Sequence, residues 1–115
     1  MDRVAPQHTN LAQGRWFTMS LCEQMANVGS EIERTIKWRN KGNEEYGRMA
    51  FFRALELLDL TISDPKHRGR LKEICRTREA LADKFYFHNS YRTTDESWRK
   101  YFLQFTVGAR MERQK

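Results

Sequence analysis

The chain has 115 residues, with 21 Lys or Arg against 15 Asp or Glu and a formal charge of +6. That length suits one domain with its own core and is too short for two. A hydrophobic share of 39% with 12% aromatics argues against disorder, and no apolar run approaches the roughly 20 residues that a membrane span needs.

The first 13 residues, with Pro6 in a polar mixture, carry no helical period and are expected to form a flexible tail. They lack the apolar segment of a signal peptide, so the expected compartment is the cytoplasm. Residues 14–115 then form a single domain. Cys22 and Cys75 fall inside predicted helices at positions that suit burial, as free thiols acting as small apolar fillers.

A first helix is predicted from about Thr18 to Asn40, because Leu21, Met25, Val28, Ile32 and Ile36 recur at steps of three and four. Ser20 followed by Glu23 forms a capping-box pattern, and Gly42 supplies a left-handed stop after Lys37, Arg39 and Lys41. Asn43 caps the second helix, whose wide apolar face of Met49, Ala50, Phe51, Ala54, Leu55, Leu57, Leu58 and Ile62 makes it the most buried. Asp64 and Pro65 end that helix and start the third, which carries Leu71, Ile74, Cys75, Leu81, Ala82 and Phe85. His88-Asn89-Ser90 is turn chemistry. Thr93 with Glu96 gives a second capping-box pattern before the fourth stripe of Trp98, Tyr101, Phe102, Phe105, Ala109 and Met111. Short connections join antiparallel neighbours, so the expected fold is all-α, an antiparallel up-down-up-down four-helix bundle.

The cations divide into 14 Arg and 7 Lys, a bias that suits phosphate because a guanidinium offers paired hydrogen bonds. Two groupings stand out as candidate nucleic-acid contacts. Arg34, Lys37, Arg39 and Lys41 surround Trp38, a ring that stacks on a base or packs on another helix, and Arg48 extends the group if the first two helices lie side by side. Lys66, Arg68 and Arg70 surround His67 at a helix start, where free amide groups favour anions; the opposing reading is a solvated helix end. Arg99, Arg110 and Arg113 make a third grouping. Arg78 occupies a slot that the apolar period assigns to the interior, where a buried guanidinium needs a carboxylate, and Glu31 and Asp59 are the candidate partners in a buried polar site that receives a ligand; the opposing reading, which the pattern favours, is an ion pair fixing helix register or a side chain that snorkels outward.

No catalytic, metal or cofactor pattern is present. His8, His67 and His88 have no Cys, Asp or Glu at metal-ligand spacing. The Arg-to-His spacing of HEPN-type helical-bundle ribonucleases occurs only between Arg3 and His8, interrupted by Pro6, and reads as accidental.

The runs Ser20 to Glu31, Arg53 to Ile62 and Asp64 to Ile74 resemble a group of small bacterial proteins that carries no assigned activity. In architecture alone, the size, charge and four predicted helices are similar to the bundle proteins encoded in ribosomal-RNA intervening sequences and to Avd-type accessory proteins of retroelements. That resemblance implies oligomers that bind RNA or a reverse transcriptase, and it transfers no site residue. The expected role is a non-enzymatic accessory protein that binds RNA or an RNA–protein assembly, without a cofactor, membrane or small-molecule substrate. The alternative is a protein-interaction subunit, sealed into a homo-oligomer or onto an enzyme by exposed aromatics near Trp16, Phe17 and Trp98.

Overall fold

A computed structural model describes residues 14–114, and they are all-α. The expected tail, with its Arg3–His8 spacing, lies outside the described residues. The elements are α1 (Trp16–Thr18), α2 (Leu21–Asn40), α3 (Glu44–Ser63), a 3-10 segment (Pro65–Arg70), α4 (Leu71–Tyr86) and α5 (Asp95–Arg113). Among the described residues no helix is long and apolar enough to cross a membrane.

Local chemistry sets the boundaries. Ser20 Oγ accepts from the Glu23 amide while the Glu23 carboxylate accepts from the Ser20 amide, so α2 starts on the expected capping box. Gly42 sits at φ +78°, where a side chain would be strained, and turns the chain into the Asn43 cap of α3. Asp64 and Pro65 end α3 as expected but do not open α4. They begin the 3-10 segment, in which His67 leaves helical geometry, and α4 starts only at Leu71. The last cap falls one residue later than expected, with Thr94 and Ser97 in place of Thr93 and Glu96. Thr93 is otherwise engaged: its amide donates to Asn89 Oδ1 and its hydroxyl accepts from the Trp98 indole.

The hydrophobic interior draws on all the α-helices, with Trp16 from α1. Met25, Val28, Ile32 and Ile36 of α2 meet Phe51, Ala54, Leu57 and Leu58 of α3, Ile74, Leu81 and Phe85 of α4, and Trp98, Phe102 and Phe105 of α5. Each large side chain withdrawn from water contributes about 1.5–3 kcal/mol. Trp16 is fully buried and Trp98 nearly so, so neither is the exposed sealing aromatic that the sequence suggests. Cys75 is exposed and Cys22 half-buried, so the first does not fill the core. Met49, Leu71 and Met111 also face outward, at the solvent edge of their stripes.

Cross-helix pairs define the neighbours. Gly29 lies against Phe102 and Gly108 against Cys22, while Arg99 bonds Glu33, so α2 numbers rise as α5 numbers fall. The first two contacts are tight enough that a Cβ on Gly29 would stand 2.7 Å from Phe102 Cβ, and one on Gly108 2.7 Å from Cys22 Sγ. α2 and α3 pair through Gln24–Asp64, Glu31–Arg53 and Arg39 beside Gly47. α3 and α4 pair through Asp59–Arg78 and Phe51–Phe85. α4 reaches α5 through side chains, Thr77 to Tyr101 and Lys84 to Asp95.

Candidate nucleic-acid interface

The predicted basic residues separate into two groups at opposite ends of the helices, about 30 Å apart by the rise of a 20-residue helix. At the α2–α3 turn, Arg34, Lys37 and Lys41 recur three and four residues apart along the outer side of α2, and all three are exposed. The Lys41 ammonium lies 5.2 Å from the centre of the Trp38 ring, which packs edge-on against Tyr46 at 4.9 Å. Arg39 points the other way: its guanidinium donates to the Phe85 carbonyl at 2.9 Å and covers the Phe85 and Tyr86 rings. It therefore joins the two helical hairpins and does not belong to a phosphate-binding face. Arg48 is exposed, and its charge acts on Tyr86 of α4, the ring that Arg39 also covers.

The second group surrounds the 3-10 segment. Lys66 donates to Asp64 and to the Phe17 carbonyl, and Arg70 pairs with Glu73 at 2.8 Å. Arg68 is exposed and has no carboxylate within ion-pairing distance among the described residues. The same end collects Arg110 and Arg113 from the last turn of α5, and Arg15, which lines one groove with Arg113 and Glu23. Arg15 is the contribution that sequence reasoning missed, because only folding brings it beside the last turn of α5. Arg99 does not join Arg110 and Arg113. It is clamped by Glu33 and Glu96, whose hydrogen bonds push its pKa further up.

Beneath these cations is a buried polar network with no counterpart in the sequence reading. Gln24 Nε2 donates to Asp64 Oδ2 at 3.0 Å and to the Trp16 carbonyl at 2.9 Å, and Gln24 Oε1 faces His67 Nε2 at 2.8 Å. Amide nitrogen toward two acceptors and amide oxygen toward the imidazole fixes His67 as the donor at Nε2. All three side chains are almost wholly buried, so His67 is not part of an exposed basic cluster. Burial pushes the His67 pKa down, against the opposing pull of Asp64. Burial alone would raise the Asp64 carboxyl, but hydrogen bonds from Lys66 and Gln24 outweigh it and hold the group below the usual range. The network ties α1, α2 and the 3-10 segment into one rigid support.

The expected buried site around Arg78 divides differently. Arg78 does bond Asp59, at 2.8 Å from Nε and 3.4 Å from Nη2, yet the two side chains are 36% and 59% exposed. This is a surface pair, since the long arginine stem carries its head out of the stripe. Glu31 is the buried member, held by Arg34 at 3.1 Å and Arg53 at 3.4 Å between α2 and α3.

The α4–α5 loop is held by its own hydrogen bonds. Asp83 accepts from the Tyr91 amide at 3.1 Å, and hydrogen bonds from the Ser90 and Tyr91 backbone hold its carboxyl below the usual range. Asn89 exchanges two hydrogen bonds with the Thr93 backbone, and the Tyr91 hydroxyl donates to Glu79. Asn89 and Arg92 are both left-handed, at φ 50° and 54°. This framework leaves Phe87 71% and Tyr91 58% exposed. No family model matches the chain, and neither a curated protein nor a solved structure matches it.

Proposed function

We propose that the chain is a cytoplasmic, non-enzymatic RNA-binding accessory protein, arranged as an antiparallel up-down-up-down four-helix bundle, that grips RNA phosphates at its Pro65–Arg70 end. The opposed numbering of the helix pairs supports that topology, and the free thiols of Cys22 and Cys75 fit a reducing compartment. The observation that carries the RNA reading is the gathering of Arg15, Arg68, Arg110 and Arg113, without carboxylate partners among the described residues, beside Lys66 and Arg70. Guanidinium groups left unpaired on a rigid base are available to replace the counterions of a polyanion.

The measurement is the affinity for an unstructured oligoribonucleotide across a salt series. Four to six phosphate contacts correspond to a log–log slope of about −3 to −4. The double variant Arg68→Ala/Arg113→Ala flattens that slope by about 1 to 1.5. No binding even at low salt removes the proposal.

One observation favours the protein-interaction reading instead. Leu103, Val107 and Met111 stand 57%, 43% and 62% exposed at successive turns of α5, an apolar line of the kind that amphipathic partners cover. Sedimentation of the wild type against Val107→Glu separates the two: a self-associating or partner-capturing chain loses its assembly, whereas an RNA-binding monomer keeps both its mass and its RNA affinity.

A further inference from the structure

Between the outer side of α4 and the α4–α5 loop lies a cleft of about 470 Å³, within the range that accommodates small planar groups. Its lining includes the small side chains of Cys75 and Ala82, the aromatics Phe87 and Tyr91, and Arg78. Small side chains and two exposed rings lining one cleft suit something flat and apolar-faced. The loop holds that slot open at a conformational cost, since Asn89 and Arg92 are kept left-handed while the two most exposed aromatics of the loop are presented to solvent.

The charged groups of the lining are Arg78, Glu79 and Asp83. The two carboxylates keep their charge but are engaged by the loop itself, accepting from the Tyr91 hydroxyl and the Tyr91 amide. Arg78 gives Nε and Nη2 to Asp59 and retains Nη1. Arg76 and Arg92 are exposed with no carboxylate within ion-pairing distance among the described residues. Two exposed rings and the one remaining edge of Arg78 in a single cleft suit a nucleobase, and Arg76 and Arg92, outside its lining, are left to meet phosphates. Stacked aromatics with flanking Arg bind unpaired bases, whereas a duplex keeps its base faces covered.

We propose that this cleft receives an unpaired base of a single-stranded RNA, stacked on Phe87 and Tyr91 with Arg78 at its edge. The inference rests on the RNA-binding reading and narrows it to single strands. The test compares an unstructured oligoribonucleotide with a perfect RNA duplex, each titrated against wild type, Phe87→Ala and Arg78→Met by fluorescence anisotropy. Phe87 is mostly outside the core, so Phe87→Ala keeps the wild-type thermal melt. The expected result is about a tenfold weaker single-strand affinity for Phe87→Ala with duplex affinity unchanged, and a smaller loss in the same direction for Arg78→Met. If Phe87→Ala binds both RNAs as the wild type does, or loses both equally, the base slot is overturned while RNA binding stands. If the wild type binds neither RNA, the RNA reading falls and takes this inference with it. A nucleoside monophosphate bound as tightly as the strand would assign the cleft to free nucleotides and overturn the RNA source.

Discussion

The Pro65–Arg70 end buries its hydrogen-bonding groups and turns cations outward, while the α4–α5 loop spends its hydrogen bonds at the surface and turns rings outward. At the first, Gln24, Asp64 and His67 are enclosed and Arg15, Arg68 and Arg113 stand above them. At the second, Asp83, Asn89 and Thr93 lock the backbone so that Phe87 and Tyr91 project. Rigid support is common to both, but one end offers charge without rings and the other rings with fewer free charges. On the RNA-binding proposal, the first end would meet the phosphates of a strand and the second its bases.

Several variants break or sharpen that contrast. The largest expected effect is at the enclosed network. Gln24→Ala leaves the Trp16 carbonyl, Asp64 and His67 without their shared partner, and should cost about 2–4 kcal/mol in urea unfolding. The network also has a pH signature. The folded pKa of His67 lies below its unfolded value, so the unfolded chain binds the proton first. Its contribution is complete above about pH 6.5 and is lost as pH falls toward the depressed value. Asp64, also depressed, adds a loss of the same sign at lower pH. His67→Gln should flatten the first decline in a pH series of unfolding curves and leave the acid-side one.

Asn89→Ala comes next, at about 1–2 kcal/mol, since it removes the bonds to the Thr93 backbone and places a Cβ-bearing residue with no side-chain anchor at positive φ. It should weaken single-strand binding along with stability, whereas Gln24→Ala should leave that binding intact once the protein is folded. Thr94→Ala removes the α5 cap for about 1 kcal/mol, read as a lower thermal midpoint. Arg78→Met is the mildest, under about 1 kcal/mol, because the Asp59 pair is open to solvent. A larger loss of stability would return Arg78 to a structural role.

Much of the fold was legible because solvated helices bury one stripe. Met25, Val28, Ile32 and Ile36 repeat every turn and are all enclosed. Ser20 with Glu23 and Asn43 acted through bonds within three residues, so spacing alone identified them. The polar site was less legible for two reasons. Arginine is long enough to occupy an inward slot and still end at the surface, as Arg78 does. Gln24 lies next to Met25 in a helix, and nothing in the sequence reveals that His67 and Asp64 will close over it. The basic clusters suffered likewise: Arg39 reads as one of a run until the Phe85 carbonyl draws it inward, and Arg15 and Arg113 share a groove only because the start of α1 lies beside the last turn of α5.

The hydrogen-only contacts along α2 and α5 have a consequence for chemistry at sulfur. Gly108 lets α5 settle directly on the Cys22 thiol, whose pKa is pushed up by burial and by Glu112, while Cys75 is open to water. A maleimide should therefore modify Cys75 promptly and the half-buried Cys22, with its raised pKa, more slowly. The lag between the two adducts, followed by mass spectrometry, reads how far the close approach of α5 shields that sulfur.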